Sequence, residues 1–376
     1  MYASRTQTSI PILSVSMCEN RTHGGTVERK AVHPYLYVQK TAHMEETMKI
    51  GKVPESVLKR SVFKQIKTKR PEVLVGAGVG EDCAVMQLEP DEVFVLSTDP
   101  ITGTVQDVGR LCVHVTANDL ASAGAEPVGI LLTALLPEDM EEETLRGIMA
   151  QVEEVCEELH IQVMGGHTEV TRAVQQPLIT VTGVGKVKKD RLVTTGGAKP
   201  GDDVVVTKWI GIEGTAIIAK EKEAQLLARY PEQMIRTARE FDQYISVVRD
   251  AAAALKSGVS AMHDVTEGGI YGALWELAEA SGVGLDIDLM EIPVRQETIE
   301  ICEYFDLNPY YLISSGCMLM TGPDGYGLVR ALKQEGIPAA VIGKVTEGKA
   351  RIVRNQGEIT YLERPKTDEL YRIYEV

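Results

Sequence analysis

The chain has 376 residues, of which 44% are apolar and 25% charged, and it carries a formal net charge of −15. That length predicts two domains, and the balance of apolar and charged residues excludes a wholly disordered chain. The acidic surplus excludes nucleic acid as the main partner, because phosphate backbones attract basic faces. No apolar run approaches the roughly 20 residues that a membrane-spanning helix requires. The six cysteines include no C-x-x-C pair, so neither a zinc site nor a redox motif is signalled. Such scattered thiols suit a reducing, cytoplasmic setting.

In chain order, residues 1–43 are polar in stretches such as Ser4 to Ser9 and Asn20 to Thr26, and they hold no periodicity. They lack the continuous apolar core of a secretory signal. The expectation is an extension outside the fold, or a true start near Met44 or Met48. A first domain, 44–190, begins with a helix near Pro54 to Lys67 and a glycine-punctuated loop, Gly76-Ala-Gly-Val-Gly80. Strands are expected at 93–97 and 128–136. Between them Val108, Leu111, Cys112 and Val115 recur at helical spacing over Asp107 to Ala123. A second helix, Glu142 to His160, has the same stripe and an acidic first turn that suits the helix dipole. Strands return at Ile161 to Met164 and Leu178 to Val187. After the turn-forming Gly196-Gly-Ala-Lys-Pro-Gly201, a second domain, 196–376, opens with a strand at Asp203 to Thr207. Helices near Thr215 to Lys222 and Gln233 to Leu255 follow, then a Gly-Gly helix start at Gly268. A strand at Gly284 to Leu289 and closing strands near Val341 and Ile352 complete it. Strands alternating with helices in both halves predict α/β or α+β layering.

No Walker A loop is present, and Gly76-x-Gly78-x-Gly80 misses the dinucleotide spacing by one residue. The conspicuous feature is a series of carboxylates at strand ends and helix starts. Gly80-Glu81-Asp82-Cys83-Ala84-Val85 places two acids between a glycine turn and a strand. Ser97-Thr98-Asp99-Pro100 ends the strand before it, and Asn118-Asp119-Leu120-Ala121 lies in the following helix. His263-Asp264-Val265-Thr266-Glu267-Gly268-Gly269 leads into another helix. Taken singly each has a plain structural reading: Asp before Pro is a common turn, and Asp264 or Thr266 could cap the helix. Together they offer the hard oxygen ligands that a Mg²⁺–triphosphate site needs, which lets an acidic protein bind a nucleotide.

The ordered set G-x-D-x-A-V, S-T-D-P, N-D-L-A-x-x-G-A-x-P, G-G-H-T-E, K-P-G-D, D-x-T-x-G-G and I-P-V runs from about Gly76 to Val345. It resembles the AIR synthase superfamily, which includes AIR synthase, thiamine-monophosphate kinase, selenophosphate synthetase and the hydrogenase maturation protein HypE. The resemblance to HypE is strongest, through Asn118-Asp119-Leu-Ala and Ile292-Pro293-Val294. It implies an N-terminal domain that forms a homodimer through its sheet and a C-terminal α/β domain closing over the site. ATP would lie between them, with Mg²⁺ held by Asp82, Asp99, Asp119 and Asp264. Gly80, Asn118, Gly165, Gly166, Thr168 and Gly268 would contact the nucleotide, Asn118 orienting a ligand oxygen and the glycines allowing close backbone approach.

Departures from the family bear on function. HypE proteins end in Pro-Arg-Ile-Cys, whereas this chain reads Tyr371-Arg372-Ile373-Tyr374-Glu375-Val376, with no cysteine after Cys317. The expectation is that thiol chemistry in cis is not available. Glu169 replaces a lysine and Glu267 an arginine, reversing charge at two places. His167, following two glycines, has a side chain that titrates near neutrality and is either a ligand or base, or a hydrogen-bonded loop residue. The leading expectation is an ATP- and Mg²⁺-dependent enzyme that phosphorylates an oxygen of a small-molecule acceptor, with His167 and Glu169 on the acceptor side. The alternatives are a non-catalytic nucleotide-binding dimer acting as a regulator, and a maturation factor whose thiol comes from a partner protein.

Overall fold

The computed structural model describes residues 51–52, 55–78, 85–101, 107–364 and 367–374. The 1–43 extension, Gly80 and Asp82 lie outside these described residues. Glu45–Val376 form one compact unit built on two large sheets.

The first sheet contains β1 (Gly51–Lys52), β2 (Glu92–Ile101), β3 (Glu126–Leu136), β4 (Gln162–Val170) and β5 (Leu178–Lys188), in the order β1-β4-β3-β5-β2. Only β3 and β4 run parallel; the other pairs are antiparallel. Two helices, α1 (Val108–Ser122) and α2 (Glu142–Leu159), pack on one face. Their apolar stripes meet alternate strand residues, so Leu111, Cys112, Leu145, Val152, Ile130 and Val181 share one core. Cys112 and Cys156 are fully buried there as small apolar groups. Gly183 permits this close packing, since a Cβ would stand 2.4 Å from Thr116 Cγ2 on α1. The other face of the sheet is open around Phe94 and Leu96, which are 51% and 64% exposed.

Residues 189–202 connect to a second, seven-stranded mixed sheet. Its strands are β6 (Asp203–Thr207), β7 (Ala261–Val265), β8 (Gly284–Asp288), β9 (Cys317–Gly322), β10 (Ala339–Thr346), β11 (Arg351–Asn355) and β12 (Glu358–Tyr361). They follow the order β12-β11-β8-β10-β6-β9-β7. The helices α3 (Ile212–Glu221), α4 (Val248–Leu255) and α5 (Gly269–Ser281) position the residues discussed below. Strand β6 is buried at every position, the pattern of a central strand covered on both faces.

Several expected boundaries differ. The helix expected over 233–255 is interrupted: Glu232–Arg239 is followed by a 3₁₀ turn, Glu240–Tyr244, before α4 begins. Strand β2 continues through Ser97, Thr98, Asp99 and Pro100, which the sequence placed at its end. This works because Pro100 lies on the edge strand, where a missing N–H costs nothing. Likewise β4 runs through Gly165, Gly166, His167 and Glu169 rather than stopping at Met164.

Candidate functional site

Strand β2 alternates, so Ser97 and Asp99 point toward α1 while Phe94, Leu96 and Thr98 face the open side. On α1, Asp119 is turned toward β2. The Ser97 hydroxyl donates to Asp119 Oδ2 and also lies 3.4 Å from Asp99 Oδ2, bracketing the two carboxylates with one side chain. The third acid, Asp264, comes from β7 in the second sheet, and α1 packs against that strand. Asp264 is 7% exposed, and its Oδ2 has no hydrogen-bond partner. Three acids far apart in sequence thus converge where the two sheets meet.

Electrostatics show what this convergence costs. Burial, followed by the nearby charge of Asp264 and a hydrogen bond with Asp99, pushes Asp119 up to about 8. Burial raises Asp264 as well, with His263 opposing the rise. A carboxylate group held against its ordinary ionisation, beside a buried oxygen without a donor, is a group lacking a positive partner. Asp99, Asp119 and Asp264 offer hard oxygens and suit a divalent cation of the Mg²⁺ type. Among the described residues, no three His, Cys, Asp or Glu side chains stand close enough to hold a metal by themselves. These acids are therefore part of a ligand set that needs phosphate oxygens, water or further residues to complete it.

Other residues expected at the site have different work. Asn118 is 1% exposed; its Nδ2 donates to Ile245 O at 2.9 Å and its Oδ1 accepts from Val247 N at 2.8 Å. Each end of the amide holds a backbone group, so it fastens α1 to the 245–247 segment. Gly268 precedes α5 as its N-cap with φ +82°, and its N–H donates at 2.7 Å to Asp368. Thr168 is buried on the core side of β4. Gly165 and Gly166 allow close strand packing. A Cβ on Gly166 would stand 1.9 Å from Leu132 O, and one on Gly165 3.3 Å from Leu131 Cδ2.

His167 and Glu169 are joined to each other, Nε2 to Oε2 at 3.1 Å, and both are partly exposed. They do not join the three acids. A bulge at Met164, where Ile130 pairs with Val163 but Leu131 pairs with Gly165, shifts the alternation of β4 by one residue. His167 and Glu169 then lie opposite Thr133 and Leu135 on the open face. Asp99 shares a rung with Val181, Leu132 and Gly166 on the helix-covered face. The two groups are on opposite faces and three strand spacings apart, about 14 Å. Ser97 was visible within S-T-D-P, but its role as a clamp between two acids became evident only from the packing of α1.

The AIR synthase related protein family matches this chain twice, through its N-terminal domain at residues 80–187 and its C-terminal domain at residues 199–354. Carbamoyl dehydratase HypE of Rhodobacter capsulatus is 29% identical over 278 residues, covering 71% of this chain and 79% of that protein. Selenide, water dikinase of Dechloromonas aromatica is 29% identical over 237 residues, covering 62% and 65% respectively. The crystal structure of hydrogenase maturation protein HypE in complex with ATP superposes with a TM-score of 0.68 at 21% identity, covering 85% of this chain and 96% of that one. With the two domain matches in order and together spanning most of the sequence, the chain belongs to the AIR synthase related protein family.

Proposed function

We propose that this protein is an ATP- and Mg²⁺-dependent enzyme that activates an oxygen of a small-molecule acceptor by phosphoryl transfer, working as a homodimer. The observation that carries the reading is the convergence of the partly buried Asp99 and Asp119 with the buried Asp264, whose Oδ2 is left without a donor. Mg²⁺ held by these acids would neutralise phosphate charge. Ser97 would keep Asp99 and Asp119 in register, and Asn118 would hold the second half of the chain against α1. The relatives support nucleotide chemistry: one is named a dikinase, and a HypE structure contains ATP.

The alternative of a non-catalytic regulator draws on the missing tail thiol and on the charge reversals at Glu169 and Glu267. Glu169 lies on the face of the sheet opposite the three acids, so its negative charge does not join theirs, and that one reversal does not count against the enzyme reading. The homodimer would pair through the open sheet face carrying Phe94 and Leu96, as the family resemblance implies.

Titration calorimetry of ATP with and without Mg²⁺, on the wild type and on Asp119→Ala, tests the proposal. Micromolar, Mg²⁺-dependent binding that Asp119→Ala abolishes is expected. An absence of ATP binding under every metal condition would overturn it.

A further inference from the structure

Lys208 directly follows β6 with φ +54°, a left-handed conformation that L side chains rarely adopt, and it is buried. Strain of this kind persists where the surrounding contacts over-determine it. Here the contacts belong to the ammonium group, which donates to Ser246 O at 2.8 Å and to Gly316 O at 2.7 Å. It is also ion-paired at 2.9 Å with Asp250, which is buried on α4. A buried lysine needs an opposite charge and acceptors for its N–H groups. Nothing in that need requires the two carbonyls to come from separate segments of the chain.

Each carbonyl leads to one of the acids. Ser246 lies between Ile245 and Val247, whose C=O and N–H are both held by Asn118. Asn118 immediately precedes Asp119 on α1. Gly316 immediately precedes β9, where Met318 pairs with Asp264 on β7. Thr207, the neighbour of Lys208, fixes the same stretch by accepting the Met318 N–H at 3.1 Å. The two segments also abut: a Cβ on Gly316 would stand 2.5 Å from Tyr244 O and 3.0 Å from Ile245 Cα. Two carbonyl oxygens that face one point repel each other, and the ammonium between them supplies the attraction that keeps the segments together.

We propose that Lys208 is a positioning residue that fixes Asp119 against Asp264, acting through Ser246 and Asn118 on one side and through Gly316 and Met318 on the other. The inference rests on the nucleotide reading for its purpose. Mg²⁺ tolerates little departure from its preferred geometry, so the separation of acids drawn from two halves of the chain governs whether the cation is held.

Hydrogen exchange of the full, unliganded chain, read by mass spectrometry, tests the assignment. Lys208→Met speeds exchange at least tenfold at 118–122, which carries Asp119, and at 261–265, which carries Asp264. Exchange in β8, which neither route of contacts reaches, stays as in the wild type. A lysine that only fills its own place would leave both acid-bearing segments unaltered. Lys208→Met strands a buried Asp250, so Lys208→Met/Asp250→Leu, which removes both charges together, decides the matter if the single variant does not fold. In calorimetry the folded variant binds ATP with Mg²⁺ at least tenfold more weakly than the wild type, and ATP without Mg²⁺ equally well. Unaltered exchange at either acid-bearing segment, equal acceleration in β8, or wild-type affinity for ATP with Mg²⁺ overturns the proposal. A wild type that binds no ATP defeats the nucleotide reading instead, and the exchange measurement then decides the positioning role by itself.

Discussion

The side-chain oxygen of Asn118 accepts the backbone N–H of Val247 at 2.8 Å, closing a contact between residues 129 positions apart in sequence. The same amide donates to Ile245 O, and the residue is buried. Asn118 therefore ties α1, which carries Asp119, to the segment that precedes α4. Removing it strands one buried donor and one buried acceptor, each costing roughly 1–3 kcal/mol. Asn118→Ala is expected to lower unfolding stability by about 2–4 kcal/mol in urea titrations. Nucleotide affinity lost with an unchanged urea midpoint would instead show that the amide touches the ligand.

Gly166 tests whether the glycine pair serves the sheet or a ligand. Its φ is +148°, and an added Cβ would come within 1.9 Å of Leu132 O and 2.9 Å of Leu132 N. Backbone cannot yield as a flexible side chain can, so β3 and β4 must separate. Gly166→Ala is expected to destabilise by about 3 kcal/mol or more, read from thermal or urea unfolding. Gly147 is the control, because a Cβ there meets nothing within 4 Å. Equal melting of Gly166→Ala and Gly147→Ala would contradict the packing account.

These two residues also show why some of the site was legible in the sequence and some was not. Asp119 and Asp264 stood out because an acid on a helix or strand beside apolar neighbours and glycines is locally unusual. The fold class followed from strands and helices alternating along the chain. The partners of Asn118 could not be read, because backbone groups 127 and 129 residues away have no side-chain signature. The face occupied by His167 was hidden for another reason. Counting alternation along β4 from Val163 puts His167 in the core, and the bulge at Met164 reverses that count. A bulge depends on how two strands pair, and β4 alone does not reveal it. Gly268 was correctly placed at a helix start, but the acid that takes its N–H, Asp368, lies 100 residues later.

The open face of the first sheet yields a prediction about assembly. Phe94, Leu96 and Leu131 are 51%, 64% and 37% exposed on it, and Thr98, Thr133 and Thr182 interleave with them. A second copy pairing through this face would cover those apolar groups and bring His167 and Glu169 toward the partner. The wild type is expected to run as a dimer in light scattering. Leu96→Asp places a charge at the centre of the contact and is expected to give a monomer with little change in unfolding stability, since Leu96 lies outside the core. A dimer that persists in Leu96→Asp would move the interface elsewhere.

Acid stability provides a prediction with a definite sign. Glu72 receives Arg70 through Nε at 3.0 Å and Nη2 at 2.9 Å, and Lys186 Nζ at 2.5 Å. Arg70 also reaches Glu126 at 2.6 Å and His160 O at 2.9 Å, so the cluster joins the 70–72 segment to β3 and β5. The hydrogen bond from Arg70 is the main cause that holds Glu72 down at about 2, against an ordinary value of 4.5. A carboxylate depressed in the folded state binds fewer protons there than in the unfolded chain. Its stabilisation is therefore present above pH 4.5 and is lost as pH falls toward 2. Solvent screens part of this cluster, which limits its worth to about 1 kcal/mol. Glu72→Gln should thus be less stable than the wild type by about that amount at pH 7. The gap should narrow through pH 4 and 3 and close near pH 2, as measured by urea unfolding at each pH. A gap that stays constant across this range would mean that the substitution acts through packing and that the charge of Glu72 contributes nothing.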